Sequence, residues 1–347
     1  MRSRLRSLRA GGPHKMPLTY YTVAPDLNIA VRTKKAPKLL ASMFGPETQG
    51  DSAELTLDLI GAEGSQKEDG TSVSSTARGV YKAIPWSCSL FAGSDGCWTL
   101  GFKSLAMREY LAMHIALLPA LRLLLTNRSV ALTSGAAFAE DGAATVLAGP
   151  TGTGKTSLLL GSLQRGAHFV GDEYVGLSSE GAVSPIARSL ALRLATLTLA
   201  PEAAERLSGP RRVALRIAEL ISTATRARLE PLSHLRPEEL GLQVASDPAK
   251  VRRIVWLEAA DSDQSPKLEA MSSEDIVRHL ALRQAVHQVA YGDITPFLEA
   301  VAGCEDADAR WRRTLIDGLA DVECLRLTFA RRALPKALDL LSAGSRS

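Results

Sequence analysis

From Leu18 to about Lys103 the chain is strand-like, with stretches in which apolar side chains recur at every second position. YYTVAPDLNIAVRT and AELTLDLIGAE both carry this period of two, which puts alternate side chains on opposite faces and predicts strands. SLFAGSDGCWTLGF adds a hairpin with Ser94-Asp95-Gly96 at its turn. The intervening AEGSQKEDGTSVSSTAR has almost nothing to bury and reads as a surface loop. LAMHIALLPALRLLL, residues 111–125, is shorter than the ~20 residues a membrane span needs and is interrupted by His114, Pro119 and Arg122. A buried helix kinked at the proline is expected there, with no membrane span.

Near Ser129 the texture changes. SVALTSGAAFA and AATVLAG read as buried strands flanking the turn Glu140-Asp141-Gly142, and a helix follows from Lys155 to about Arg165, ended by Gly166. AHFVG is a short buried strand, and YVGLS, AVSPIA and LALRLATLTL are expected to continue the sheet. Helix formers dominate residues 201–242, where RRVALRIAELISTATRARL has apolar residues at helical spacing. VRRIVWLEA is another strand, residues 273–302 are mostly helical, and VECLRLTF precedes a closing helix that ends near Leu341. The predicted class is α/β, with a disordered basic tail over residues 1–15 and a β-rich region with a kinked helix over 16–128. A second region over 129–347 carries a helical insertion at about 201–242.

Composition narrows the function classes. At 347 residues, 46% apolar and 22% charged, the chain is soluble and globular by composition. Its net charge is +4, and Arg2, Arg4, Arg6 and Arg9 account for that excess. The remainder is near neutral, which excludes a broad nucleic-acid surface. MRSRLRSLRA has no apolar run behind its charges, so it is not a secretory signal. Cys88, Cys97, Cys304 and Cys324 lack metal-ligand spacing and read as reduced thiols of a cytoplasmic protein.

Chemistry concentrates in GPTGTGKTSLLLGSLQRGAHFVGDE, residues 149–173. Gly149-x-x-x-x-Gly154-Lys155-Thr156 matches the Walker A pattern, between a strand and a helix as that pattern requires. Gly149, Gly152 and Gly154 permit the tight turn and keep side chains away from amides that face phosphate oxygens. Lys155 brings a mobile positive charge, Thr156 offers a hydroxyl to Mg²⁺, and the helix points its positive end at the phosphates. Pro150, Thr151, Thr153 and Ser157 complete the expected ATP-binding segment.

Asp172 and Glu173 follow after only one helix and one strand. A helix of about ten residues runs ~15 Å away from the loop, and a returning strand brings the two carboxylates back to it. Transfer of a phosphoryl group needs a metal and a residue that orients or deprotonates the attacking hydroxyl. Thr156, Asp172 and Glu173 are therefore the expected metal ligands, and Asp172, Glu173 and Lys155 the catalytic residues. No LSGGQ signature of transporter ATPases and no NKxD motif of GTPases accompanies the loop.

GPTGTGKTS, RGAHFVGDEYVGL and AVSPIARSLALRL together resemble the HPr kinase/phosphorylase-like proteins, over about residues 129–193. The resemblance implies a P-loop kinase domain of the phosphoenolpyruvate carboxykinase-like type, ATP- and Mg²⁺-dependent. Its phosphoryl acceptor is the hydroxyl of a peptide, a protein or a small molecule. In that family the acidic pair holds metal and serves as base, duties that fall here to Asp172 and Glu173, with Asp172 the indispensable one. A basic residue of the following strand faces the site in relatives, which points to Arg188 or Arg193. Bifunctional relatives form ring-shaped oligomers, so a homo-oligomer is open. The family commonly has a histidine in the strand before the loop, where this chain has Leu132-Thr133-Ser134-Gly135-Ala136. Phosphorylase activity is accordingly not expected. A non-catalytic ATP-binding switch or a slow ATPase that drives a partner stands as the alternative. His168 reads as a packed or surface histidine, and Arg211, Arg212, Arg216, Arg226 and Arg228 as a solvated helix face.

Overall fold

The computed structural model describes residues 18–24, 27–33, 37–45, 47–49, 52–59, 73–92, 97–197, 201–224, 233–245, 248–260, 264–292, 294–302 and 306–343. Residues 1–15, residues 62–72 of the expected surface loop, the turn Ser94-Asp95-Gly96, Cys304, Arg226 and Arg228 lie outside them.

Two mixed sheets dominate. The first holds β1 (Leu18–Ala24), β2 (Leu27–Arg32), β3 (Leu55–Asp58), β4 (Val73–Tyr81), β5 (Ile84–Ala92) and β6 (Trp98–Ser104), in the order β1-β2-β3-β6-β5-β4. Alternation succeeds here because one sheet face packs on a core: Tyr21, Ile29, Leu57, Leu90 and Phe102 are all fully buried. The short helix α1 (Lys38–Phe44) adds Leu40 and Met43 to that cluster. The two strands of the expected hairpin pair antiparallel, with Ala92 opposite Trp98. Residues 73–78, expected in the surface loop, instead belong to β4. This edge strand is held by its ladder to β5, and a strand held that way leaves little apolar signature.

The apolar run forms one continuous helical segment: α2 (Arg108–Leu111), a π-helical stretch (Ala112–Leu117) and α3 (Leu118–Thr126). Pro119 sits at the start of α3, where its missing N–H coincides with the change from π to α hydrogen bonding. The segment is 19 residues long, not the shorter run read from sequence. By length and composition alone it could cross a membrane, and 78% of that window is buried inside the protein.

The second sheet runs β11-β10-β7-β8-β14-β16-β15, with β9 paired to β7. Its strands are β7 (Val130–Glu140), β8 (Ala143–Ala148), β9 (His168–Gly171), β10 (Tyr174–Ser178), β11 (Ala182–Pro185), β14 (Ala249–Ala259), β15 (Lys267–Ala270) and β16 (Glu323–Phe329). β14 lies parallel to both β8 and β16 and is buried along most of its length. On one face pack α4 (Lys155–Gln164) and α11 (Leu334–Ala343), around Leu158, Phe169, Leu327 and Leu338. On the other pack α8 (Ser273–Tyr291) and α10 (Ala307–Gly318), around Val146, Ile254, Leu280 and Trp311. Leu132 and Ile186 of this half join the core of the first sheet, so the two halves share buried surface. The fold is mixed α/β.

LALRLATLTL does not continue the large sheet. β12 (Leu190–Leu192) pairs with β13 (Ser233–Leu235) in a separate two-stranded ladder, and α5 (Leu194–Leu197) follows. A nearly unbroken apolar run suits a buried strand or a buried helix equally, so periodicity could not separate them. In the expected helical insertion, α6 (Pro201–Arg206) and α7 (Gly209–Ala224) are present, and α9 (Thr295–Ala302) completes the helices beside α8. On α7 only Leu215 is buried, while Val213, Ile217, Leu220 and Ile221 are exposed.

Candidate functional site

The glycine-rich loop joins the C-terminal end of β8 to α4. Its glycines are demanded by geometry at two points. A Cβ on Gly149 would lie 2.7 Å from the Leu257 carbonyl oxygen of β14, and Gly154 has φ +98° beneath the Phe329 ring. Thr153 Oγ1 closes the turn by donating to Pro150 O at 2.9 Å. Lys155 folds over the loop, its Nζ donating to Gly149 O and Pro150 O at 2.8 Å each. Burial, then the neighbouring Arg283, brings its ammonium down to about 8.

β9 runs antiparallel to β7 and delivers Asp172 at its end. The chain then reverses within one residue, since Tyr174 N–H donates to Asp172 O at 2.8 Å. Glu173, at the tip, has φ +65°, a left-handed conformation that costs a non-glycine residue about 1–3 kcal/mol. Its carbonyl accepts from Gly135 N–H at 3.0 Å, which ties the turn to β7. The two carboxylates take different partners. Asp172, 1% exposed, accepts Thr156 Oγ1 at 3.2 Å on both oxygens and Ala191 N–H at 3.1 Å. Glu173 Oε2 lies 3.7 Å from His234 Nδ1.

Burial dominates both acids. It raises Asp172 to about 6 against the lowering effect of its hydrogen bonds and Lys155. Burial and the Asp172 charge raise Glu173 to about 8. The Glu173 side chain keeps 26% of its surface exposed, so solvent screening moderates that upward push. His234 is lowered by burial to about 4, so the imidazole meets Glu173 as a neutral partner near pH 7.

Lys155, Thr156, Asp172 and Glu173, expected together from sequence, are brought together. His168 is exposed at the opposite end of β9. Arg188 and Arg193 flank β12, the Arg188 N–H donating to Met43 O at 2.6 Å. Arg211 pairs with Glu239 at 3.3 Å, and Arg212 donates to the carbonyls of Glu205 and Leu207. Arg216 is exposed on α7. Thr133, in the strand before the loop, is buried.

Several residues at the site had no sequence signal. His234 reaches it through the β12–β13 ladder, directly opposite the Ala191 that donates to Asp172, and lies 3.3 Å from Ser189 Oγ. Tyr174 Oη lies 3.5 Å from His114 Nδ1. Arg283 of α8 donates from Nη2 to Thr151 Oγ1 on the loop. Each comes from a segment that periodicity marks only as core or helix.

Among the described residues no three or more His, Cys, Asp or Glu side chains cluster as a metal centre. The donors present are a hydroxyl and two carboxylates, hard oxygens of the kind Mg²⁺ takes together with phosphate oxygens and water. A buried Asp172 whose only nearby cation among the described residues is Lys155 suits an incoming divalent ion, so the residues fit that group. Compared with models of known families and with curated proteins, the chain finds no match.

Proposed function

We propose that this site binds ATP with Mg²⁺ and transfers the γ-phosphoryl group to a hydroxyl, in a P-loop kinase fold of the HPr kinase-like, phosphoenolpyruvate carboxykinase-like type. The observation that carries the reading is the Thr156–Asp172 contact, which couples the start of α4 to the acidic turn within 3.2 Å. The loop amides and the N-terminus of α4 face the phosphates. Lys155 exchanges its two loop carbonyls for phosphate oxygens. Thr156 and Asp172 would hold Mg²⁺, with Glu173 beside it. Bound there, the ion neutralises charge on the β- and γ-phosphates and favours the ionised form of both acids.

Glu173 lies toward the acceptor side, because its charge acts on Tyr174 and Tyr291, which line the adjoining cleft. The acceptor oxygen forms the new bond to the γ-phosphorus. The bond from that phosphorus to the β–γ bridging oxygen breaks, and its electron pair leaves with ADP. The hydroxyl proton passes to the Glu173 carboxylate. His234 positions Glu173 through the contact at 3.7 Å.

The test uses γ-labelled ATP and Mg²⁺ with short hydroxy acids, Ser/Thr peptides and fractionated bacterial lysate as acceptors. Label on a discrete acceptor, lost in Lys155→Ala and Asp172→Asn, is the expected result. ATP bound with neither transfer nor phosphate release would leave a nucleotide switch in place of a kinase.

A further inference from the structure

A narrow cleft adjoins the acidic turn, walled by α3, β7, α8 and α10. Among the described residues no carboxylate lines it. Three nitrogens of residues that line it are buried without a hydrogen-bond partner among the described residues: Arg122 Nε, Arg283 Nε and His287 Nε2. Arg122 has only 5% of its side chain exposed and is fixed on two sides. Its Nη2 donates to Asp308 Oδ1 at 2.8 Å, and its guanidinium lies over the Trp311 ring at 4.8 Å. Trp311 is itself anchored, its Nε1 donating to Leu132 O at 3.0 Å. Arg122 is thus held rigidly with one N–H of a buried cation unspent. Buried donors are almost always satisfied, and charged ones most of all, so two open guanidinium N–H groups in one cleft mark a place for acceptor atoms, with His287 Nε2 a third donor in its Nε2–H tautomer.

Arg283 connects this cleft to the phosphate end of the site, since its other branch holds Thr151 of the loop. Tyr174 ties it to the acids by sequence. The rest of the wall mixes carbon, from Leu118, Leu280 and the ring of Tyr291 stacked on His114 at 4.6 Å, with the polar side chains of Ser134 and Gln284. Two guanidinium groups and an imidazole nitrogen in one cleft of mixed apolar and hydroxyl or amide lining, with the acids alongside, suit a small molecule with an oxyanion and a hydroxyl. A folded protein segment does not suit so narrow an opening.

We propose that the cleft binds the carboxylate or phosphate group of a small acceptor through Arg122, Arg283 and His287, and presents its hydroxyl to Glu173. The last clause rests on the phosphotransfer reading; the oxyanion site stands on the cleft alone.

The full chain is saturated with a non-hydrolysable ATP analogue and Mg²⁺, so that added anions cannot read out at the glycine-rich loop. Glycerate, inorganic phosphate and uncharged glycerol are then titrated by calorimetry, following the His287 ring protons by NMR. At least one anion saturates and shifts the His287 signals, glycerol does neither, and the tighter anion names the headgroup. Arg283→Gln and His287→Gln each weaken that anion about tenfold or more, the loss expected for a charged hydrogen bond, with thermal midpoints near wild type. No saturable binding of either anion, or equal affinity in wild type and both variants, overturns the proposal. If the analogue itself fails to bind, the titration is repeated on Lys155→Ala. Anion binding retained there upholds the oxyanion site while the phosphotransfer reading falls.

Discussion

On one side of the site Asp172 and Glu173 sit at the tip of a strained turn, both pushed toward their protonated forms by burial. Across the cleft Arg122 and Arg283 stand with His114 and His287, whose imidazoles burial holds neutral, at about 3 and about 4. The acidic wall sets two carboxyls against Lys155, and the basic wall sets two guanidinium groups against Asp308, which pairs with Arg122. Each wall is electrostatically incomplete by itself, and the groups that would complete them differ: a metal with nucleotide phosphates for the first, an oxyanion for the second. The acidic wall also costs the empty protein stability, because two carboxyls must stay dry beside each other. Function is written in that cost.

The largest test of this contrast removes the acidic wall's centre. Asp172→Asn should lower phosphotransfer by about 10³-fold, the scale expected when a group that stabilises transition-state charge is lost. Glu173→Gln should cost about 10²-fold, as for a general base whose proton has other routes to solvent. His234→Ala acts through Glu173, so a loss of about tenfold in kcat with KM for ATP unchanged is expected. Steady-state kinetics on any acceptor that takes label reads all three. An equal loss for His234→Ala and Asp172→Asn would erase the proposed division of roles.

The smallest effect concerns stability and its sign. Asp172 has a folded-state value raised from 3.8 to about 6, so its protonated form favours folding. That contribution is complete below about pH 4 and is lost as pH rises through about 6. Asp172→Asn keeps an uncharged group in place and should stabilise the nucleotide-free protein by about 1–2 kcal/mol at pH 8, after allowing for weakened acceptance from Ala191 and Thr156. At pH 4 the gain should vanish. The buried histidines have the opposite sign and lose stability as pH falls, but they are common to both proteins and cancel in the comparison. Chemical denaturation of wild type and variant at both pH values measures the difference.

The two walls also differ in how far sequence revealed them. The acidic wall lies within residues 149–173, so local rules were enough: glycine spacing, a strand before, a helix after, and a returning strand. The basic wall is assembled from residues 122, 283 and 287, and His234 enters through a two-stranded ladder. A single arginine or histidine on a helix carries no local mark of what it faces, since only tertiary packing places it. The same limit explains LALRLATLTL, where apolar continuity concealed the switch from β12 to α5. It also explains residues 73–78, whose strand is held by hydrogen bonds to β5 rather than by burial. Most other strands from β7 onward were legible because burial on the sheet leaves an apolar run bounded by turns.

The claim at the centre is that the glycine-rich loop and the acidic turn form one site for ATP and its metal. Calorimetric titration of ATP into wild type and Asp172→Asn, with and without Mg²⁺, tests it most directly. Mg²⁺ should tighten ATP binding about tenfold or more in wild type and have little effect in the variant. An equal Mg²⁺ effect in both proteins would separate the acidic turn from the nucleotide and contradict the account.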